Sequence, residues 1–143
     1  MVTELIKAIS IKLNATFGDG YEIYTKDVTQ GLKEPCFFIA VLQPERMPLL
    51  GNRSAQINPF DVHYFPKDET DNFELIAVAE QMMDALETVT MINGDLIRGT
   101  HRKYEIVDGV LHFFVNFNMH LRHPVLQTSM ESVVLETGTV KGG

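Results

Sequence analysis

Five histidines, His63, His101, His112, His120 and His123, are the side chains here best suited to ligating a metal or moving a proton. A metal site written into local sequence needs closely spaced ligands, and no His-x-x-x-His or His-x-His pair occurs. On a single strand through residues 112–120, His112 and His120 would share a face but stand roughly 27 Å apart. His101 is expected to face Asn116 across a hairpin. Surface or interface imidazoles are therefore expected, with no metal and no cofactor.

Asp61 and His63 fall on one face of a strand, with Asp68 and Asp71 downstream. An acid–base pair needs a nucleophile or a substrate pocket, and neither a Gly-x-Ser-x-Gly elbow nor a phosphate-cradling glycine loop is present. Gly18-Asp19-Gly20 follows a helix, the reverse of the phosphate-loop order, and reads as a helix terminus. Cys36, the lone cysteine, sits in an apolar run and reads as a small buried hydrophobe. His101-Arg102-Lys103 is the basic cluster, and strand alternation sends Arg102 to the opposite side from its neighbours. That describes a solvated edge rather than a nucleic-acid groove. No catalytic residue emerges, and the expectation is a protein that is not an enzyme.

The elements that position these side chains centre on Thr100–Arg122. Asp108-Gly109 separates two runs rich in β-formers, the strongest short-range sign of a two-residue hairpin turn. A type I′ turn there sets Val107 against Val110, Ile106 against Leu111 and Tyr104 against Phe113. Phe113, Val115, Phe117, Met119 and Leu121 form a dry face to pack on the helices; His112, Phe114, Asn116, Asn118 and His120 form the other face. Thr3 is expected to cap a first helix carrying Ile6, Ile9, Leu13 and Phe17 on its apolar stripe, with Leu5 beside it. Tyr21–Tyr24 reads as a short strand, residues 26–33 as a polar loop, and Cys36–Leu42 as a strand buried on both faces. Residues 43–59 read as a β-excursion: a strand near Met47–Leu50, a turn at Gly51-Asn52, and a return from Arg53 that runs on into Phe60–Phe65. Asp71 and Glu74 resemble a capping box for a second helix, whose apolar face is Ile76, Ala79, Met83 and Leu86, supported by Phe73, Leu75 and Met82. The expected fold is α+β: an antiparallel or mixed sheet with a long C-terminal hairpin, flanked by helices at about residues 4–17 and 72–88. Residues 1–122 are expected to form a single domain and residues 123–143 a C-terminal arm or disordered tail, with Val133–Leu135 favouring the arm.

Composition narrows the classes further. The 143 residues are 45% hydrophobic and carry a net charge of −7, which argues against sequence-independent grip on a phosphate backbone. Apolar runs fall well short of the roughly 20 residues of a membrane span, and the N-terminal stretch lacks the pattern of a signal peptide. A cytoplasm-like compartment is expected.

Taken together, Lys33-Glu34-Pro35-Cys36-Phe37-Phe38, Leu50-Gly51-Asn52-Arg53 and Phe60-Asp61-Val62-His63-Tyr64-Phe65-Pro66, set between two helices and before a long hairpin, resemble the small tail terminator proteins of Gram-positive phages, prophages and phage-tail-like particles. The resemblance spans roughly residues 1–122. It implies a structural virion protein that assembles with itself into a hexameric ring, caps the tail tube, stops tail polymerisation and provides the head-joining surface. The implied partners are the tail tube protein, a sheath protein and, in a full phage, a head-completion protein, with no sequence-specific nucleic acid and no membrane. The implied location is the virion tail, with assembly in the host cytoplasm.

Within that reading the expected interface residues are Arg46, Leu50, Asn52, Arg53 and Phe114. Arg53, beside the turn, is the expected ion-pair donor to the tube or to the neighbouring subunit. Two alternatives stand beside it: a head-completion or head–tail connector protein, and a small-molecule-binding domain with the Phe-rich sheet as its pocket floor.

Overall fold

The computed structural model describes residues 2–25, 31–67 and 72–122. The capping residue Asp71, the loop residues 26–30, His123 and the C-terminal arm lie outside them. The fold is α+β. Its elements run α1 (Val2–Phe17), β1 (Glu22–Tyr24), β2 (Cys36–Val41), β3 (Glu45–Pro48), β4 (Arg53–Ile57), β5 (Pro59–Phe65), α2 (Asn72–Ala85), β6 (Thr88–Thr90), β7 (Leu96–Val107), β8 (Val110–Phe117) and β9 (Met119–Arg122).

The described residues divide into two compact units, the larger running to Arg46 and from Gln56 to Met119, the smaller holding residues 47–55 and 120–122. The larger unit holds a six-stranded sheet ordered β1-β2-β5-β8-β7-β6, in which β1 and β2 are parallel and the remaining pairs antiparallel. Alternation along the strands sends Phe37, Ile39, Phe60, Val62, Tyr64, Leu111, Phe113, Val115 and Phe117 to one face, all essentially inaccessible to water. Both helices cover that face through Leu5, Ala8, Ile9 and Leu13 of α1 and Leu75, Val78, Ala79 and Met82 of α2. Tilted aromatic rings knit the far end, with Phe37 5.1 Å from Phe17 and 5.0 Å from Tyr64.

The hairpin turn is as expected: Asp108 and Gly109 both have positive φ, 52° and 75°, and Val107, Ile106 and Tyr104 face Val110, Leu111 and Phe113. Several expectations change. First, a bulge between Thr100 and Lys103 shifts the register, so Thr100 rather than His101 faces Asn116. His101 takes a φ of 53°, and Arg102 turns partly inward with Nη1 buried, unlike the solvated residue expected. Second, the long second arm is two strands. The Phe117 N–H donates to the Asn58 carbonyl, while Asn58 Nδ2 takes the Phe117 carbonyl at 3.0 Å, the acceptor a ladder N–H would use. Pairing stops there, and β4 and β9 go to a second sheet ordered β3-β4-β9.

Third, the buried face of α2 is centred on Leu75, Val78, Ala79 and Met82; Ile76 is exposed, Met83 is only partly buried, and Phe73 is 85% exposed. The helix also stops at Ala85, because Thr88–Thr90 pairs with Leu96–Arg98 as β6. Fourth, β2 is buried on both faces only at its start: Cys36 is fully buried, while Phe38 and Ala40 on the same side stay partly accessible. Thr3 lies inside α1, which begins at Val2, rather than capping it.

Glu74, in the first turn of α2, accepts a hydrogen bond from the hydroxyl of the fully buried Tyr64. Burial first, and the neighbouring Glu74 carboxylate second, push the Tyr64 hydroxyl well above the usual phenol range. A folded-state value above the unfolded one gives stability that is complete below pH ~10 and is lost as pH rises toward the folded value. Tyr64→Phe should therefore cost about 1–3 kcal/mol near neutrality and flatten the loss of stability above pH ~10, read by guanidinium unfolding between pH 8 and 11.5. An unchanged alkaline slope in the variant would show that Tyr64 does not carry it.

Candidate functional site

No helix covers the second face of the six-stranded sheet among the described residues. Alternation places Phe38 and Ala40 of β2, Asp61, His63 and Phe65 of β5, and His112, Phe114 and Asn116 of β8 on it. The register sets His63 directly against Phe38 on one side and against His112 on the other, with Asp61 against Phe114. Three chemistry-bearing side chains thus meet in the middle of the sheet. Asp61 Oδ2 lies 2.9 Å from His63 Nε2 and 3.1 Å from His112 Nδ1, and the two imidazole centroids are 4.4 Å apart.

Asp61 is only 8% exposed, and its Oδ1 is buried with no hydrogen-bond partner among the described residues. Burial by itself raises the Asp61 carboxyl, but hydrogen bonds from His63 and His112 and their charge outweigh it and hold the group below its usual range. Leaving the other oxygen without a donor costs on the order of 1–3 kcal/mol. Aromatic rings surround the cluster. Phe38 meets His63 edge-on at 5.4 Å, Phe65 lies 6.1 Å from His63, and Phe114 stacks on His112 at 6.4 Å and 17°. Lys103 Nζ stands 5.7 Å from the Phe114 ring centroid, within cation–π range.

The sequence pairs Asp61 with His63 by their spacing on a strand. His112 joins them through the β5–β8 register, for which the local spacing gives no sign. The only legible hint was that His112 and Phe114 fall on the same side of their strand. The three residues offer one ligand atom each, all within 4.8 Å of one another, and are the described group that could hold a metal ion.

The other expected residues fall in different places. In the smaller unit, Leu50 and Arg53 line a cleft of about 420 Å³ together with Leu49 and His120. Leu50 is 85% exposed at the tip, and Asn52 is half-buried in the turn. Arg46 is in the larger unit with Phe114, and its Nε and Nη2 donate to Gln56 Oε1 at 3.2 and 2.6 Å. Gln56 Nε2 donates to Asn58 Oδ1 at 2.8 Å, so Arg46 starts a polar chain that ends on the Phe117 carbonyl. Its guanidinium therefore holds the strand junction, whatever else it contacts. Cys36 is fully buried, and burial, with Glu34 and Glu22 adding charge, pushes its thiol up to about 11, consistent with an inert core thiol.

A family model described as phage tail terminator protein matches residues 4–129 of the chain. Among curated proteins none matches it.

Proposed function

The chain belongs to the phage tail terminator family and is a structural protein of the virion tail; from that premise we propose that it forms a closed ring that caps the tail tube, stops its polymerisation and presents the surface to which a head joins. The observation that supports this reading best is the uncovered sheet face. Phe38, Phe65 and Phe114 remain partly accessible there, around a buried carboxylate. The aromatic content of this face fits an interface core, where such residues are enriched. The tip residues Leu49 and Leu50 of the smaller unit supply a second apolar patch. Ring subunits joined head to tail need two different patches, one meeting the other on the next copy.

Arg53, exposed at the mouth of the cleft with Leu49, Leu50 and His120, is the proposed ion-pair donor to the tube or the neighbouring subunit. Arg53→Glu should leave the unfolding curve within about 0.5 kcal/mol of wild type, as surface changes do. The same change should weaken assembly at least tenfold, by reversing one interfacial charge. Multi-angle light scattering reads the ring, and electron micrographs of tails made with the variant read their length. Unchanged rings and unchanged tail length would remove Arg53 from the interface.

A head-completion or connector role is the second reading within the same class. Rings that bind purified heads but not tail tubes would favour it over the terminator.

A further inference from the structure

We propose that Asp61, His63 and His112 form a binding site for a divalent transition-metal ion of the zinc class, on the uncovered face of the six-stranded sheet. The geometry carries it. Two imidazoles from adjacent strands aim at the same carboxylate oxygen, 2.9 and 3.1 Å away, and leave the other carboxylate oxygen buried without a donor. Oδ2 has the lone pairs to accept both imidazoles, and the same convergence brings three ligand atoms of the zinc type to one place. A ligand set converges on a point.

The dimensions agree with that chemistry. Metal–ligand bonds of about 2.0–2.1 Å at tetrahedral angles put neighbouring ligand atoms roughly 3.3 Å apart. The carboxylate oxygen needs to draw back from the two imidazole nitrogens, 2.9 and 3.1 Å away, by a few tenths of an ångström, and those nitrogens, within 4.8 Å of each other, need to settle at that same spacing. His63 would ligate through Nε2 and His112 through Nδ1, each as the tautomer that carries its proton on the other ring nitrogen. The ion would also compensate the buried Asp61 charge. Two imidazoles with one carboxylate select zinc, cobalt, nickel or copper over magnesium and calcium, which prefer oxygen ligands alone.

Buried core residues hold the ligand positions from below. Phe60, Val62, Leu111 and Phe113 interleave with the ligands along β5 and β8 and are locked in the core, so the backbone beneath the ligands is fixed. The site does not depend on the ring reading and can fail or stand apart from it.

The test uses the full chain, stripped with chelator and dialysed against zinc, with bound metal measured by elemental analysis. One equivalent is expected in the wild type, with affinity at least about tenfold weaker in His63→Gln and in His112→Gln. Cobalt in place of zinc should give the intense visible absorption of a tetrahedral site, and magnesium should not compete. Retention of no zinc by the wild type would overturn the proposal, and so would equal retention by wild type and both variants, which would put the ion elsewhere. A zinc titration followed by NMR of the wild-type histidine rings covers the case in which a variant misfolds. His63 and His112 should shift before His101 and His120, and any other order overturns the assignment.

Discussion

Gly99→Ala is expected to lower the unfolding free energy by about 3 kcal/mol, the upper end of what overpacking a core costs. Gly99 lies on β7, at the point where the end of α2 turns into β6. Its N–H donates to the Glu87 carbonyl at 2.7 Å, which holds the two segments together. A Cβ at this position would stand 2.2 Å from the Leu86 carbonyl oxygen, 2.9 Å from Val115 Cγ2 and 3.2 Å from Phe117 Cε1. The first of these is backbone and cannot rotate away, so either β7 or the chain after α2 must move. Leu86 and Phe117 are fully buried and Val115 nearly so, which gives the strain nowhere to relax. For a domain whose total stability is roughly 5–15 kcal/mol, a loss of this size is a large fraction. Urea unfolding reads it directly, and a loss below about 1 kcal/mol would mean that the turn after α2 is softer than the packing implies.

Which parts of this architecture were legible in the sequence follows from the range of each signal. The Asp108-Gly109 turn fixed the β7–β8 register near the hairpin, because a type I′ turn specifies pairing for its neighbours. The register failed beyond the bulge at His101 and Arg102, where no glycine or proline announces the extra residue. Helix α1 is legible in its apolar spacing, but its buried face centres on Leu5, Ala8, Ile9 and Leu13, while Ile6 and Phe17 of the expected stripe are only partly buried. Helix α2 offers apolar residues around much of its circumference, so Ile76–Met83 and Leu75–Met82 compete as the buried face, and only packing decides between them.

The break at Asn118 had no local sign either. It depends on Asn58, far away in sequence, whose side chain takes the Phe117 carbonyl. The Asp61–His63–His112 cluster follows the same logic. Spacing on β5 gives the first two members, and the third is set by which strand lies beside β5, a matter of topology. Functional side chains that meet across strands are invisible to motif reading, because the motif is written in the register rather than in the chain.

Phe114→Ala is expected to raise the concentration needed to assemble the proposed ring at least thirtyfold while leaving the subunit folded. Phe114 is half-buried on the uncovered face, beside the His112 ring and under the Lys103 ammonium. Within the subunit its loss removes one stacking contact and one exposed cation–π contact, about 1 kcal/mol together. At a subunit interface an aromatic anchor of this kind is worth about 2 kcal/mol or more, a factor of roughly thirty for each contact. A closed ring repeats the loss at every interface, so the penalty grows with the number of subunits and assembly should fail sharply. The two effects separate cleanly: a thermal melt reports the small loss within the subunit, and light scattering over a concentration series reports the large one between subunits. Rings that form at the wild-type concentration would put the subunit contact elsewhere and leave the Phe38, Phe65 and Phe114 face without a role in assembly.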